Sequence, residues 1–599
     1  MTQLPLREAL PVEETWDLSL LFKDSQAYHE SISETQELIL SFEERFKGHL
    51  NDVETIINSL EDYEMISRRQ AYISAYGSLG YETDKLNREY EENRAKLEGF
   101  AEYSSAHLVF YISELSGQPV EILEAVMTHP NGEPFKYFLQ DIIDKQPYLL
   151  SPEAEAVLSR LSATLQHPYI QYLTTKFQDL TFDSFEANGK TYQNSFVTFE
   201  GDFEAHLDAN IRRESWKSFH EGLAHYQHTA AENYINHVKT EKRLASLRGF
   251  DSVIDYLLMN QKVSREAYNR QIDVIMAEFA PVMRRYAKLL KEEQQLDSIG
   301  LCDIKMPFTT IEPEKISISA SRELMENIFG IFGEEYLSVV QRSFDERWID
   351  FPMNQTKSTG GFCLSVYDGP SYTLLNWTGL LSEVLVLAHE LGHAGHFNLS
   401  NKRQLSITPE ASLYFIEAPS TANEVIACQY LLNQPIDDAQ KRVLISEFIS
   451  RTYFHNMVTH LLEADFQRKV YQAVDNGELL NATVLNQFFH ETLSQFWGEA
   501  VEITPGAELT WMRQPHYFMG LYPYTYSAGL TVGTQIGQRI AKGEQAAIDS
   551  WLTVLKAGGT LSPLELAAKA GVSMENANAL RSAIQYVDGL LDQIEALKA

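Results

Sequence analysis

Cysteine is nearly missing from this chain: three in 599 residues, Cys302, Cys363 and Cys428, an odd number at wide spacing. That excludes a disulfide framework, suits a reducing compartment, and lacks the paired spacing of a thiolate zinc site, which leaves the thiols packing roles. Positive charge is short as well. Against 83 Asp and Glu stand 49 Lys and Arg, a formal charge of −34. This is the wrong sign for a partner whose phosphates reward clustered cations, so nucleic acid is excluded as an expected partner. Long apolar runs are missing too, since no stretch approaches the roughly 20 residues that a membrane span requires. The opening MTQLPLREALPVEETWDLSLLF places acidic residues where a secretory leader would carry a basic segment and an apolar core. The expectation is a cytoplasmic protein with no membrane partner.

What is present suits a large folded protein. Hydrophobic content of 44% and charged content of 22% are ordinary for a globular chain, and the length allows a large core and more than one substructure. From Glu13 to about Ser116 Gly and Pro are scarce, and apolar residues recur three and four apart, as in DSQAYHESISETQELILSFEERF, predicting long amphipathic helices. A Pro/Gly cluster at His129 to Pro134 interrupts this, and Ser151 before Pro152 predicts a helix start. Residues 180–202 break the helical period: alternating residues flank Asn188-Gly189, predicting a small hairpin. Helices resume near Asp208 and run to about Leu296, with no fixed repeat period. Residues 358–379, STGGFCLSVYDGPSYTLLNWTG, predict a second hairpin turning at Asp368-Gly369-Pro370, and helix returns from Leu380.

On that helix lies His389-Glu390-Leu391-Gly392-His393. Residues four apart share a helix face, so two imidazoles can reach one ion, while Glu390 beside them can take a proton from water. The surrounding LVLA and Leu391 are apolar, and polar groups buried there without a partner would be costly. Gly392 costs about 1 kcal/mol against Ala inside a helix, so close packing is expected at that position. A catalytic zinc site takes three protein ligands. Spacing leaves Glu417, Glu410 and Glu424 as candidates for the third. Pro419 predicts a helix start that places Glu417 at its entrance, with Glu424 two turns on along the same face, suited to holding the outer nitrogen of a ligand imidazole. His396 shares the face of the pair but lies about 10 Å along the axis from His389, too far for joint ligation.

HELGH followed by FIEAPSTANE resembles the thimet oligopeptidase and oligoendopeptidase F family, whose signature is His-Glu-x-Gly-His and then a Phe-x-Glu-x-Pro-Ser run ending in a further Glu. The resemblance covers most of the chain, weakest over the first 120 residues. It implies Glu417 as third ligand and Glu424 as its neighbour's support. The family's hairpin before the motif helix, Gly-x-x-x-x-x-x-Tyr-Asp-x-x-x-Tyr, is similar to Gly360 through Tyr372, implying Gly360, Gly361, Tyr367 and Tyr372 as substrate contacts. The run from Gln514 to Gly529 is dense in phenols and by itself suits packing as well as catalysis. The family places a His and tyrosines in a similar segment, implying Tyr526 and Tyr522 as donors to the substrate oxygen and His516 as a substrate contact. Here His516 and Tyr522 stand one residue further apart than in the thimet branch, which leaves the register of those roles open.

The resemblance implies a mainly α fold: a zincin-type catalytic part inside a large helical shell with a deep substrate channel and minor β-hairpins. Residues 1–200 would form an N-terminal helical domain ending in the small hairpin, and residues 201–599 the catalytic domain. The expected activity is a zinc metalloendopeptidase with one Zn2+ per chain, hydrolysing internal bonds of short unstructured peptides, with Glu390 as base. The alternatives are a dipeptidyl carboxypeptidase of the same superfamily or a peptide-binding protein without turnover. Whether the chain acts as monomer or homodimer is open.

Overall fold

The computed structural model describes residues 4–309 and 315–597. With 71% of the residues helical and five short strands among those described, the fold is mainly α. The first three long helices, α1 (Ser25–Phe46), α2 (Val53–Thr83) and α3 (Arg88–Ser116), start where Asp24, Asp52 and Asn87 accept hydrogen bonds from the first-turn amides. They pack on one another and close a core of their own around Tyr28, Phe42, Leu60, Ile73 and Tyr111. Helix α4 (Pro152–Thr174) begins at the expected cap, Ser151, whose hydroxyl accepts from the Ala154 amide.

Strands β1 (Phe185–Ala187) and β2 (Lys190–Tyr192) form the first expected hairpin. Asn188 and Gly189 take φ of 53° and 71°, the left-handed pair that a two-residue hairpin loop needs. Phe185 and Ala187 pack into the large core that also contains the 39-residue helix α5 (Ala209–Leu247). The second expected hairpin is also present, with β4 (Phe362–Ser365) antiparallel to β5 (Ser371–Trp377). The sequence pattern did not predict β3 (Ile349–Pro352), which pairs parallel to β5 and completes a sheet of order β3-β5-β4. The buried Asp350 on β3 is matched by the buried Lys357 ammonium at 2.6 Å and by Arg7. Trp16, Ala75 and Leu79 pack on Tyr372 and Leu374 of this sheet, which ties the N-terminal helices to the later part of the chain.

Four helices carry the centre of the large core: α6 (Leu381–Asn401), α7 (Ala418–Leu432), α8 (His460–Asp475) and α9 (Pro523–Ala541). Helix α7 is sandwiched between α6 and α9. A Cβ on Gly392 of α6 would lie 2.6 Å from the Pro419 carbonyl oxygen and from Ser420 Cα, so the missing side chain permits the close approach expected there. On the other side Gly529, Gly533 and Gly537 of α9 form a stripe four residues apart, and a Cβ on each would press on Glu417, Thr421 or Val425. Helix α7 is therefore gripped on both faces through residues without side chains, which fixes where Glu417 and Glu424 stand.

Candidate metal centre

Helix α6 begins directly after β5, and Glu383 in its first turn accepts hydrogen bonds from the amides of Gly379 and Leu380. Two turns further on, His389 and His393 stand on one face with ring centroids 5.0 Å apart. Glu417 occupies the junction between the short helix Leu413–Ile416 and α7, with Pro419 in the new helix's first turn. Its Oε2 lies 3.4 Å from Nε2 of His389 and 3.4 Å from Nε2 of His393. Donors held at about 2.0–2.1 Å around a tetrahedral ion stand roughly 3.4 Å from one another, so Glu417 Oε2 stands at ligand spacing from both imidazoles, and the ligand atoms of all three residues lie within 4.8 Å of one another.

The surroundings fit a cation. Burial pushes the Glu417 carboxyl up, but His393 and His389 outweigh it and hold the group well below the usual carboxylate range, so it stays ionised. Glu424 Oε1 lies 2.7 Å from His389 Nδ1, leaving Nε2 as the atom presented to Glu417, and the Thr452 hydroxyl donates to the other Glu424 oxygen. Glu390 is buried with Oε2 bonded to no protein group. Burial raises its pKa, which makes it a stronger base than an exposed glutamate. A Cβ on Gly361 would come 3.3 Å from Glu390 Oε1, so the start of β4 runs alongside this carboxylate.

Opposite the motif helix stands a second polar cluster. The Tyr522 hydroxyl donates to Glu417 Oε1 at 3.2 Å, and the Tyr526 hydroxyl lies 3.3 Å from His516 Nε2. Burial raises both phenols well above their ordinary pKa, so both remain donors. His516 stacks on Tyr522, with centroids 5.5 Å apart.

The sequence profile of Peptidase family M3 matches residues 204–586, nearly two thirds of the chain, and that of Oligopeptidase F matches residues 114–182. The chain belongs to peptidase family M3. It is accordingly a metallopeptidase. Among M3 relatives, Oligopeptidase PepF of Bacillus subtilis is 24% identical over 99% of this chain and 89% of its own length. The chromosomal Oligoendopeptidase F of Lactococcus lactis is 25% identical over 99% and 98%. In fold, oligoendopeptidase-F from Enterococcus faecium superposes with a TM-score of 0.75 at 20% identity, covering 96% of this chain and 99% of that one. A peptidase from Chlamydophila abortus gives a TM-score of 0.85 at 20% identity, over 99% and 100%.

Of the residues singled out in the sequence, this M3 chain brings together His389, Glu390, His393, Glu417, Glu424, His516, Tyr522 and Tyr526, with Gly361 beside them. Gly360 takes a left-handed φ of 84° at the entrance to β4. The two hairpin tyrosines do not join the cluster. Tyr372 is fully buried against Trp16 and donates to the Asp17 carbonyl at 2.7 Å, and Tyr367 donates to the Gln404 carbonyl at 2.8 Å under the Arg68 guanidinium. Both hydroxyls tie the hairpin to its supports. His396 is buried beside Phe397, away from the ligand set, and Glu410 is likewise outside it.

Sequence reasoning missed Thr452, His455, His460 and Glu463. His460 Nδ1 lies 2.8 Å from Glu463 Oε2, and His460 Nε2 lies 3.1 Å from His455 Nε2. Two consecutive π-turns, Ile449–Tyr453 and His455–Thr459, shift the helical register so that Thr452 reaches Glu424 while His455 reaches His460. The sequence signal was FHNMVTHLLE, two histidines and a carboxylate on an otherwise apolar stretch.

Proposed function

We propose that this M3 peptidase is a zinc endopeptidase that cleaves internal bonds of short, unstructured oligopeptides in the cytoplasm, with one ion per chain. The observation that carries the reading is the ligand spacing, Glu417 Oε2 at 3.4 Å from each histidine Nε2, with the unpartnered Oε2 of the buried Glu390 alongside. An imidazole-imidazole-carboxylate set suits zinc. The Lactococcus lactis relatives are named oligoendopeptidases, which supports the substrate class.

In this reading His389, His393 and Glu417 hold the ion, which when bound supplies Lewis acidity to the water and to the scissile carbonyl. Glu390 takes a proton from the attacking water and returns it to the departing nitrogen as the C–N bond breaks. Tyr522 and Tyr526 turn their hydroxyls from Glu417 and His516 to the carbonyl oxygen as it gains negative charge, and His516 holds Tyr526 in line until then. Residues 1–200 act as a helical cover over the catalytic residues 201–599, a reading supported by the core that α1–α3 share, with the hairpin of residues 185–192 seated in the large core at the boundary. Among the described residues no helix is long and apolar enough to cross a membrane, which is compatible with the proposed compartment.

The test is a digest of peptides blocked at both ends, with and without a chelator, read by mass spectrometry. The reading requires internal cleavage that the chelator abolishes and added zinc restores. Release of dipeptides only from peptides with a free C-terminus would replace it with an exopeptidase.

A further inference from the structure

Glu463 is a buried carboxylate that the proposed chemistry does not use. Outside the candidate metal centre, the other buried carboxylates among the described residues are matched by Arg or Lys. Glu204 pairs with Arg513 and Lys305, and Asp303 with Arg212 and Arg213. Among the described residues Glu463, 3% exposed, is ion-paired with imidazoles alone: His460 at 2.8 Å and His516 at 3.8 Å, each through Nδ1 and each toward the same oxygen, Oε2. The Nδ1 of His516 is buried and has no hydrogen-bond partner of its own, so Glu463 is the acceptor toward which its proton is drawn.

Both rings lead to one phenol. His516 Nε2 lies 3.3 Å from the Tyr526 hydroxyl. His460 stacks on the Tyr526 ring with centroids 4.1 Å apart and planes inclined by only 15°. One carboxylate thus orients two imidazoles, of which one faces the hydroxyl and the other lies on the ring face.

We infer that Glu463 is a positioning residue for Tyr526, fixing its hydroxyl through His516 and its ring through His460. The inference rests on the proposed role of Tyr526 as donor to the substrate oxygen. Its physical content is orientation. An ionised Oε2 draws Nδ1–H on both imidazoles, which leaves the lone pair of His516 Nε2 to accept the Tyr526 hydroxyl and hold it in place until a substrate oxygen takes over that hydrogen bond. Losing that anchor lets ring and hydroxyl drift, and a displacement on the order of 1 Å in a catalytic donor can cost about a hundredfold in rate. The donor atoms of His460, Glu463 and His516 also lie within 4.8 Å of one another, near enough to consider a second cation. The 2.8 Å separation of His460 from Glu463 is a hydrogen-bond length, and it favours the orienting role.

The experiment compares kcat, KM and metal content of Glu463→Gln, His516→Ala and the double variant on one peptide substrate. Gln keeps the volume but replaces one acceptor oxygen with a donor. The expected result for Glu463→Gln is a fall in kcat of about 10-fold to 100-fold with KM changed less than about threefold and one metal per chain retained. The double variant should be no slower than the slower single one, because both act on the same phenol. If Glu463→Gln does not fold, Glu463→Asp, which keeps the charge and withdraws it by one methylene, must show the same loss in kcat at constant KM. Wild-type kcat in the Gln variant, losses that multiply in the double variant, or a second metal equivalent that the Gln variant loses would each overturn the inference. If His516→Ala lowers kcat and Glu463→Gln does not, only the inference fails. If His516→Ala leaves kcat unchanged, the proposed donor roles fail and the inference falls with them.

Discussion

Glu424 Oε1 stands 2.7 Å from Nδ1 of His389, and its other oxygen receives the Thr452 hydroxyl. The contact fixes which nitrogen His389 turns toward Glu417, and a ring free to rotate would sample the ligand geometry for only part of the time. Outer hydrogen bonds of this kind contribute about 10-fold to 100-fold in metal affinity. Glu424→Ala is expected to lose that much in a competition titration against a chromophoric chelator. Thr452→Val, which leaves the carboxylate in place, is expected to lose less. Equal affinity in Glu424→Ala and wild type would remove Glu424 from the centre.

The approach of α6 to α7 depends on Gly392, where a Cβ would meet backbone atoms that cannot rotate away. Gly392→Ala gains about 1 kcal/mol of helix propensity but forces the helices apart, with overpacking costs of about 1–3 kcal/mol. The expected outcome is a lowered urea midpoint together with weaker metal binding, since Glu417 and Glu424 move with α7. Gly99 within α3 is the control: nothing lies within 4 Å of its Cβ position, so Gly99→Ala should stabilise by up to about 1 kcal/mol and leave metal affinity unchanged. Stabilisation by both substitutions would contradict the close packing described for α6.

Acid should weaken the fold in two stages. Burial presses the His220 imidazole down to about 3, whereas an unfolded chain's histidine titrates near 6.5. Between those values the unfolded state takes up the proton more readily, so stability present above pH 6.5 is lost as pH falls toward 3. Glu204 follows. Burial pushes its carboxyl up, but Arg513 and Lys305 outweigh this and hold it at about 2, so its contribution is complete above roughly pH 4.3 and disappears toward 2. Thermal midpoints measured from pH 7 to 3 should fall throughout. His220→Asn, whose amide can still donate to the Trp216 carbonyl in place of Nδ1–H, should fall less over the upper part of that range. A flat profile in the wild type would contradict this.

The motif helix was legible from a local rule, whereas spacing left the third carboxylate open among Glu410, Glu417 and Glu424 and the family resemblance singled out Glu417. Residues four apart share a face, and Pro419 starts a helix with Glu417 at its mouth. Both hairpins were legible from their turn residues, and Asn188 and Asp368 do take left-handed φ. The strand β3 was not. It pairs in parallel with a later strand, and its Asp350 disguises a buried position that depends on Lys357 and Arg7. Nor could a 3.6-residue period reveal the π-turns that bring Thr452 and His455 to the centre, since they replace that period with another. The glycine stripe on α9 was visible as Gly529, Gly533 and Gly537, yet its meaning depends on which helix lies opposite. The hairpin tyrosines show the reverse: their pattern was plain, but the packing of Trp16 and Arg68 decides where their hydroxyls point.

The central claim is that Glu390 is the base beside a metal held by His389, His393 and Glu417. Replacing Glu390 by Gln keeps shape and burial but removes the proton acceptor, and proton transfer of this kind contributes about 10²-fold to 10⁴-fold. The decisive measurement is metal content and peptide hydrolysis on the same preparation of Glu390→Gln. The account predicts one bound metal per chain and a kcat lowered by at least about 10²-fold. A variant that binds the metal and hydrolyses peptide at the wild-type rate would contradict it.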